Sequence, residues 1–141
     1  MQSIPETEAE IIEEFSLFDD WMDKYEYIIE LGKNLPLIDE AYKNEEHLIK
    51  GCQSRVWIHA EAQDDRVVFT ADSDAIITKG IVALLIRVLS GQKASDVAHA
   101  ELGFIDTIGL KEHLTPTRSN GLVSMVKQMK AFAAGLQKVN G

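Results

Sequence analysis

The segment "SDAIITKGIVALLIRVLSG", from Ser73 to Gly91, constrains the fold more than any other part of the chain. Ile76, Ile77, Gly80, Ile81, Leu84, Leu85 and Val88 recur at helical spacing as a broad apolar stripe. Val82, Ile86 and Leu89 carry that stripe around most of the circumference. A helix apolar on nearly every side must be surrounded by other elements. The spacing therefore predicts a central helix, with Ser73 as its N-cap and Gly91 as its terminator. The chain has no apolar run of the ~18 residues that a membrane span needs.

The remaining sequence supplies the surroundings. In "RVWIHAEA", Val56, Ile58, Ala60 and Ala62 alternate with Arg55, Trp57, His59 and Glu61. "RVVFTAD" repeats the period of two, and "QDD" between them offers turn residues, so an antiparallel hairpin is expected. An isolated hairpin is marginal in water and needs a partner layer, which the central helix provides. "PETEAEIIEEFSLF" opens on Pro5 and acidic residues and brings Ile11, Ile12 and Phe15 to helical spacing. "DDWMDKYEYIIELG" places Trp21, Tyr25, Ile28 and Ile29 on one face, with Gly32 as a stop. From Pro36 to Gly51 the chain is polar and aperiodic, a loop with one helical turn near "DEAYK". "ASDVAHAELGFIDTIGL" gives one or two short helices and "HLTPTRSNG" a loop. "LVSMVKQMKAFAAGL" closes as an amphipathic helix with Leu122, Val126, Met129 and Phe132 inward. The expected class is α+β, a small antiparallel sheet packed against several α-helices, in one domain of 141 residues.

Net charge is −9 and unevenly spread. Nine carboxylates and one lysine lie up to Glu26, whereas from Lys111 onward five lysines and arginines face the lone Glu112. The overall sign opposes nucleic acid and anionic membrane as partners. The acidic N-terminus has neither the basic nor the apolar region of a signal peptide, and one cysteine makes no internal disulfide. A reducing cytoplasm is the expected home.

That one cysteine, Cys52 in "LIKGCQSRVWIHAEA", sits between Gly51 and the polar pair Gln53-Ser54, off the alternation of the following strand. A free cysteine often serves as a small buried hydrophobe. A glycine beside it and the cations Lys50 and Arg55 nearby favour the other reading, a presented thiolate nucleophile. A cysteine-dependent hydrolase or transferase would need a base from His47, His59, His99 or His113. No metal site is expected, because zinc and iron–sulfur centres need several clustered ligands. One thiol cannot hold a cluster, but it can carry one sulfur atom.

Four blocks, "WMDKYEYIIELGKNLP", "LIKGCQSRVW", "ADSDAIITKGIVALL" and "HLTPTRSNGL", together resemble the SufE family of sulfur acceptors. The combination of "GCQSxVW", "DSDAxIxKG" and "HLTPxRSxGL" is far more specific than any single block. The resemblance runs from about Trp21 to Lys130 and leaves the acidic helix of residues 1–20 outside it. It implies a SufE/IscU-like α+β fold and a role beside a SufS-type cysteine desulfurase, whose pyridoxal phosphate (PLP) belongs to that partner. Cys52 matches the position that receives persulfide sulfur and passes it to an iron–sulfur cluster scaffold. No stably bound cofactor is implied, and the chain is not itself an enzyme in this reading. Gln53, Ser73, Asp74 and Arg118 are candidate supporting or partner-contact residues. Ser73 and Asp74 have capping as a plainer role, and Arg118 is either a helix-start surface residue or a fork of donors for the loop or a persulfide anion. Trp57 reads as packing. A regulator that binds the desulfurase without taking sulfur is a further alternative.

Overall fold

The computed structural model describes residues 2–52 and 54–140, with side chains through 136. Its centre is α3 (Ile76–Leu89), which buries Ile77, Ile81, Val82, Leu84, Leu85, Ile86, Val88 and Leu89. Ile76 departs from the expected stripe: it is the first residue of the helix and is 66% exposed. Gly91 (φ +81) turns the chain out of α3 as expected, donating its N–H to the Val67 carbonyl at 2.7 Å.

Two helices precede α3 in sequence and pack on it. In α2 (Trp21–Gly32) the N-cap is Asp20, whose carboxylate accepts from the Asp23 N–H at 2.9 Å. Gly32 is not the left-handed stop that the sequence implies, since the helix closes at Lys33 with φ −66. The glycine serves packing instead. A Cβ on Gly32 would lie 2.8 Å from the Gly80 nitrogen, and one on Gly80 would lie 2.0 Å from the Ile28 carbonyl oxygen. The two backbones meet where a side chain on either would collide.

The acidic α1 (Ile4–Ser16) begins at a capping box of Ser3 and Glu6 and buries Ile4, Ile11 and Phe15. Arg87 of α3 grips it through Glu10 at 2.6 Å and Glu14 at 2.5 and 2.9 Å. Tyr27 of α2 donates to the same Glu14. The Gln92 side chain holds the Gln2 carbonyl at 2.8 Å, and Glu8 accepts from the Phe104 N–H at 3.2 Å. The run of carboxylates is thus partly an attachment, not wholly a solvated face.

On the other side of α3 lies a three-stranded antiparallel sheet of order β1–β2–β3. β1 (Val56–Gln63) pairs with β2 (Arg66–Ser73) from Val56↔Ser73 to Gln63↔Arg66, leaving Asp64 and Asp65 as the turn, Asp64 at φ +56. β3 (Gln92–Lys93) pairs with Arg66 and Val67. Val67, Phe69 and Ala71 of β2 are buried, as the alternation requires. α4 (Ala94–Ala98) and α5 (Phe104–Thr107) follow.

The last helix, α6 (Pro116–Asn140), starts about a turn and a half before its expected limit. Thr115 accepts the Arg118 N–H on its hydroxyl at 3.3 Å, with Pro116 next to it in the first turn. That start draws Arg118 to Gly121 out of the expected loop and into helix. The buried row is Leu122, Met125, Met129 and Ala133, whereas Phe132 is 40% exposed and Val126 only partly covered.

Candidate functional site

The polar segment 36–51 is fastened near both of its ends. Close to its start, Ile38 N–H donates to the Ala71 carbonyl and Ala71 N–H to the Pro36 carbonyl, each at 3.0 Å. A helical turn, Glu40–Tyr42, comes next, and Lys43 pairs with Asp72 at 2.6 Å. Asp72 also takes Lys79 at 3.4 Å and the Ser73 N–H at 2.8 Å. Partial burial alone would raise its carboxyl, but these contacts outweigh that cost and hold it below the usual range. At the far end, Ile49 N–H donates to the Val56 carbonyl at 2.8 Å, and Ile58 N–H to the His47 carbonyl at 3.0 Å. Residues 50–55 are therefore a hairpin connection between Ile49 and Val56, and Cys52 rides near its tip.

The base of this connection is pinned again from β2. The Asp74 carboxylate accepts from the Arg55 N–H at 3.0 Å, and Asp74 N–H returns a bond to the Arg55 carbonyl at 3.2 Å. Ser73 is the last residue of β2, not the N-cap of α3, because that helix begins three residues later behind Ala75, which makes no side-chain cap. The Ser73 hydroxyl donates to the Arg55 carbonyl at 2.8 Å and accepts from Ala75 N–H at 3.2 Å. Both residues thus brace the cysteine loop.

The tip leans on α6. Cys52, Ser54, Thr78, Arg118, Gly121 and Met125 line a small recess, the seat of the thiol, with about 10 Å³ of space, roughly what one water needs. Its Sγ lies 3.7 Å from the Gly121 carbonyl. Gly51 takes φ +87, the left-handed conformation that suits glycine, and a Cβ there would lie 3.1 Å from the Ser124 hydroxyl. Cys52 is half-buried, and burial pushes its thiol up from the ordinary value. This corrects the expectation of a thiolate favoured by its sequence neighbours: Lys50 and Arg55 are exposed, and neither lines the seat. Arg118, from the far end of the sequence, does line it. Gln53 lies outside the described residues.

The histidines are elsewhere. Among the described residues none lines the seat of Cys52. His47 Nε2 and His59 Nδ1 approach to 3.2 Å, Asn44 holds His47 at 2.8 Å, and Tyr42 stacks on His59 at 3.9 Å between ring centres. This pair borders a separate cavity of about 520 Å³ with Phe69, Met129 and Phe132. His99 and His113 bond to the Ser95 and Gly109 carbonyls, and His113 stacks on Trp21. The cysteine–histidine arrangement of a hydrolase is not assembled here. Among the described residues no three side chains are grouped to hold a metal ion. Trp57 carries Lys43 over its ring at 5.6 Å, in keeping with a packing role.

The sequence alone points to Cys52, Ser73, Asp74 and Arg118 but not to Ser54, Thr78, Gly121, Ser124 and Met125. The "TP" of Thr115-Pro116 is the available signal, since a capping residue before proline marks a helix start and puts 118, 121 and 125 on one face.

The described residues thus form an α+β domain with one thiol, seated on a braced hairpin loop against a helix. Comparison with known proteins makes this specific. The model of the SufE family, described as an Fe-S metabolism associated domain, matches residues 9–133, and the chain belongs to that family. The match takes in part of α1, which the four sequence blocks do not reach. A SufE-like protein of Rhizobium meliloti is 42% identical over 131 residues, covering 89% of this chain and 94% of that one. SufE-like protein 1, chloroplastic/mitochondrial, of Arabidopsis thaliana is 36% identical over 97% of this chain, which spans 37% of that longer protein. The solution structure of a hypothetical protein from Thermus thermophilus shares the fold, with TM-score 0.77 at 21% identity over 94% of this chain and 96% of that one.

Proposed function

We propose that the protein is a sulfur acceptor that takes persulfide sulfur from a PLP-dependent, SufS-type cysteine desulfurase onto Cys52. It thereby speeds that enzyme's turnover and passes the sulfur to an iron–sulfur cluster scaffold. The carrying observation is the lone thiol, seated at the tip of a loop whose base is braced by Ser73 and Asp74. Family membership supports the connection to Fe–S metabolism.

The step is an exchange at sulfur. The Cys52 thiolate attacks the terminal sulfur of the donor persulfide, a new S–S bond forms, and the donor's own sulfur leaves as a thiolate. The sulfane sulfur changes hands with no net oxidation, and a proton lost from Cys52 is matched by one taken up at the donor. No cofactor has to reside on this chain. These 141 residues hold no second cysteine on which the persulfide could collapse. For loading, the tip swings out from α6 so that the Cys52 sulfur reaches the donor. Arg118, which lines the seat, offers its guanidinium to the returning persulfide anion. A reducing, cytoplasm-like compartment suits such a thiol, and among the described residues no helix is long and apolar enough to cross a membrane.

Incubation with a desulfurase and cysteine, followed by intact mass without reductant, tests this. The wild type should gain sulfur and the Cys52→Ser variant none. Unchanged mass with altered desulfurase turnover would instead favour a regulator that takes no sulfur.

A further inference from the structure

α6 carries a glycine in its interior, Gly121, where alanine would make a stronger helix. It caps nothing and is absent from the positions of positive φ. The cause lies across the interface. A Cβ at Gly121 would come 3.2 Å from Cys52 Sγ, 3.4 Å from its Cα and 3.6 Å from its Cβ. The first of these is closer than nine in ten real Cβ contacts, so one partner would have to give. α6 is held along its length by Leu122, Met125, Met129 and Ala133, all buried. The loop tip is held only by what it touches. Gly51, on the loop, also faces α6 at Ser124, but its φ of +87 by itself calls for glycine. Gly135, farther along the same helix, has nothing within 4 Å of its would-be Cβ.

We propose that Gly121 sets the reactivity of Cys52 by being the residue whose missing side chain lets the thiol withdraw onto α6. The balance between the withdrawn and presented thiol is then written into the helix, not the loop. Since only the presented form reacts, any partner that needs the thiol sees an affinity reduced by the fraction presented. The proposal deepens the sulfur-acceptor reading, on which its biological meaning rests, but the test below needs no desulfurase.

The test compares iodoacetamide alkylation of Cys52 in wild type, Gly121→Ala and Gly135→Ala across pH, with far-UV circular dichroism of each. Besides the thiol itself, Arg118 is the one titratable side chain lining the seat among the described residues. Gly121→Ala should alkylate roughly 5-fold faster, the factor that corresponds to about 1 kcal/mol. The pH midpoint of its rate should fall toward the value of a free thiol, about 8.5. Gly135→Ala should react as the wild type does. Equal rates in wild type and Gly121→Ala would overturn the proposal, as would equal acceleration by both alanines. Should Gly121→Ala fail to fold, alkylation of the folded wild type is compared with that of the urea-unfolded chain at the same pH: a slower folded thiol is expected, and equal rates would overturn the proposal. A protein that shows the acceleration yet takes no sulfur from any desulfurase would retain the glycine seat and lose the acceptor reading.

Discussion

Cys52 is chemically quiet where it rests. Its thiol is pushed up by burial, with Gly121 beside it in a small recess. A thiol whose folded pKa is raised contributes stability to the seated loop below the unfolded value of about 8.5, and that contribution is lost as pH rises through the folded pKa. The seat should therefore loosen in alkaline solution. Amide exchange of residues 50–54, corrected for its intrinsic pH dependence, should accelerate above about pH 8.5 in wild type and stay flat in Cys52→Ser. A flat profile in both would mean that the thiol's ionisation is not coupled to its seat. Asp74 offers a second check at this scale. Asp74→Ala removes the acceptor of the Arg55 N–H at the loop base, a loss of about 1 kcal/mol that urea titration should detect.

The elements are legible in unequal measure. Period and turn residues disclose the hairpin and the central helix, because local spacing carries that information. Gly32 and Ser73 mislead for one shared reason: each residue type has a common local role, stop or cap, that a distant partner overrides here. Gly32 answers to Gly80, and Ser73 answers to Arg55. "NG" at Asn120-Gly121 likewise reads as a turn, which hides a glycine required by a cysteine 69 residues away in sequence. The α2–α3 crossing gives a sharp expectation. Gly80→Ala drives a methyl into the Ile28 carbonyl, and despite better helix propensity it should cost about 3 kcal/mol, read as a lower urea midpoint. The attachment of α1 is electrostatic as well as apolar. Arg87 holds the Glu14 carboxyl below the ordinary glutamate range, so this support is present above about pH 4.3 and fades as pH falls below it. Amide exchange in α1, again corrected for intrinsic rates, should rise there in wild type. In Arg87→Met it should be fast at neutral pH and lose that acid step.

At the scale of the molecule, the site divides into a braced base and a leaning tip. The buried core draws on α3, β2 and the inner row of α6 among other elements, and among the described tip residues the half-buried Cys52 abuts it. Carbamidomethylation of Cys52 adds a group that the seat of about 10 Å³ cannot hold, so the modified protein should keep its tip out. Its core amides should exchange as slowly as before, with faster exchange confined to residues 50–54 and the first turns of α6. Loss of protection across α3 would show instead that the seat supports the whole fold.

The Ile49–Val56 bond, where the hairpin closes, acts as a fixed anchor for a short tether. Cys52 is three residues from Ile49, and extended chain covers at most about 3.5 Å per residue, which limits the Cys52 Cα to a radius of roughly 10 Å and the sulfur to that plus the length of its side chain. Under the sulfur-acceptor proposal, donor and recipient would each have to deliver their reacting atom inside that small sphere at the edge of β1. In the proposed acceptor role two macromolecules would crowd in so confined a space, so that role implies successive visits, one caller departing before the next arrives.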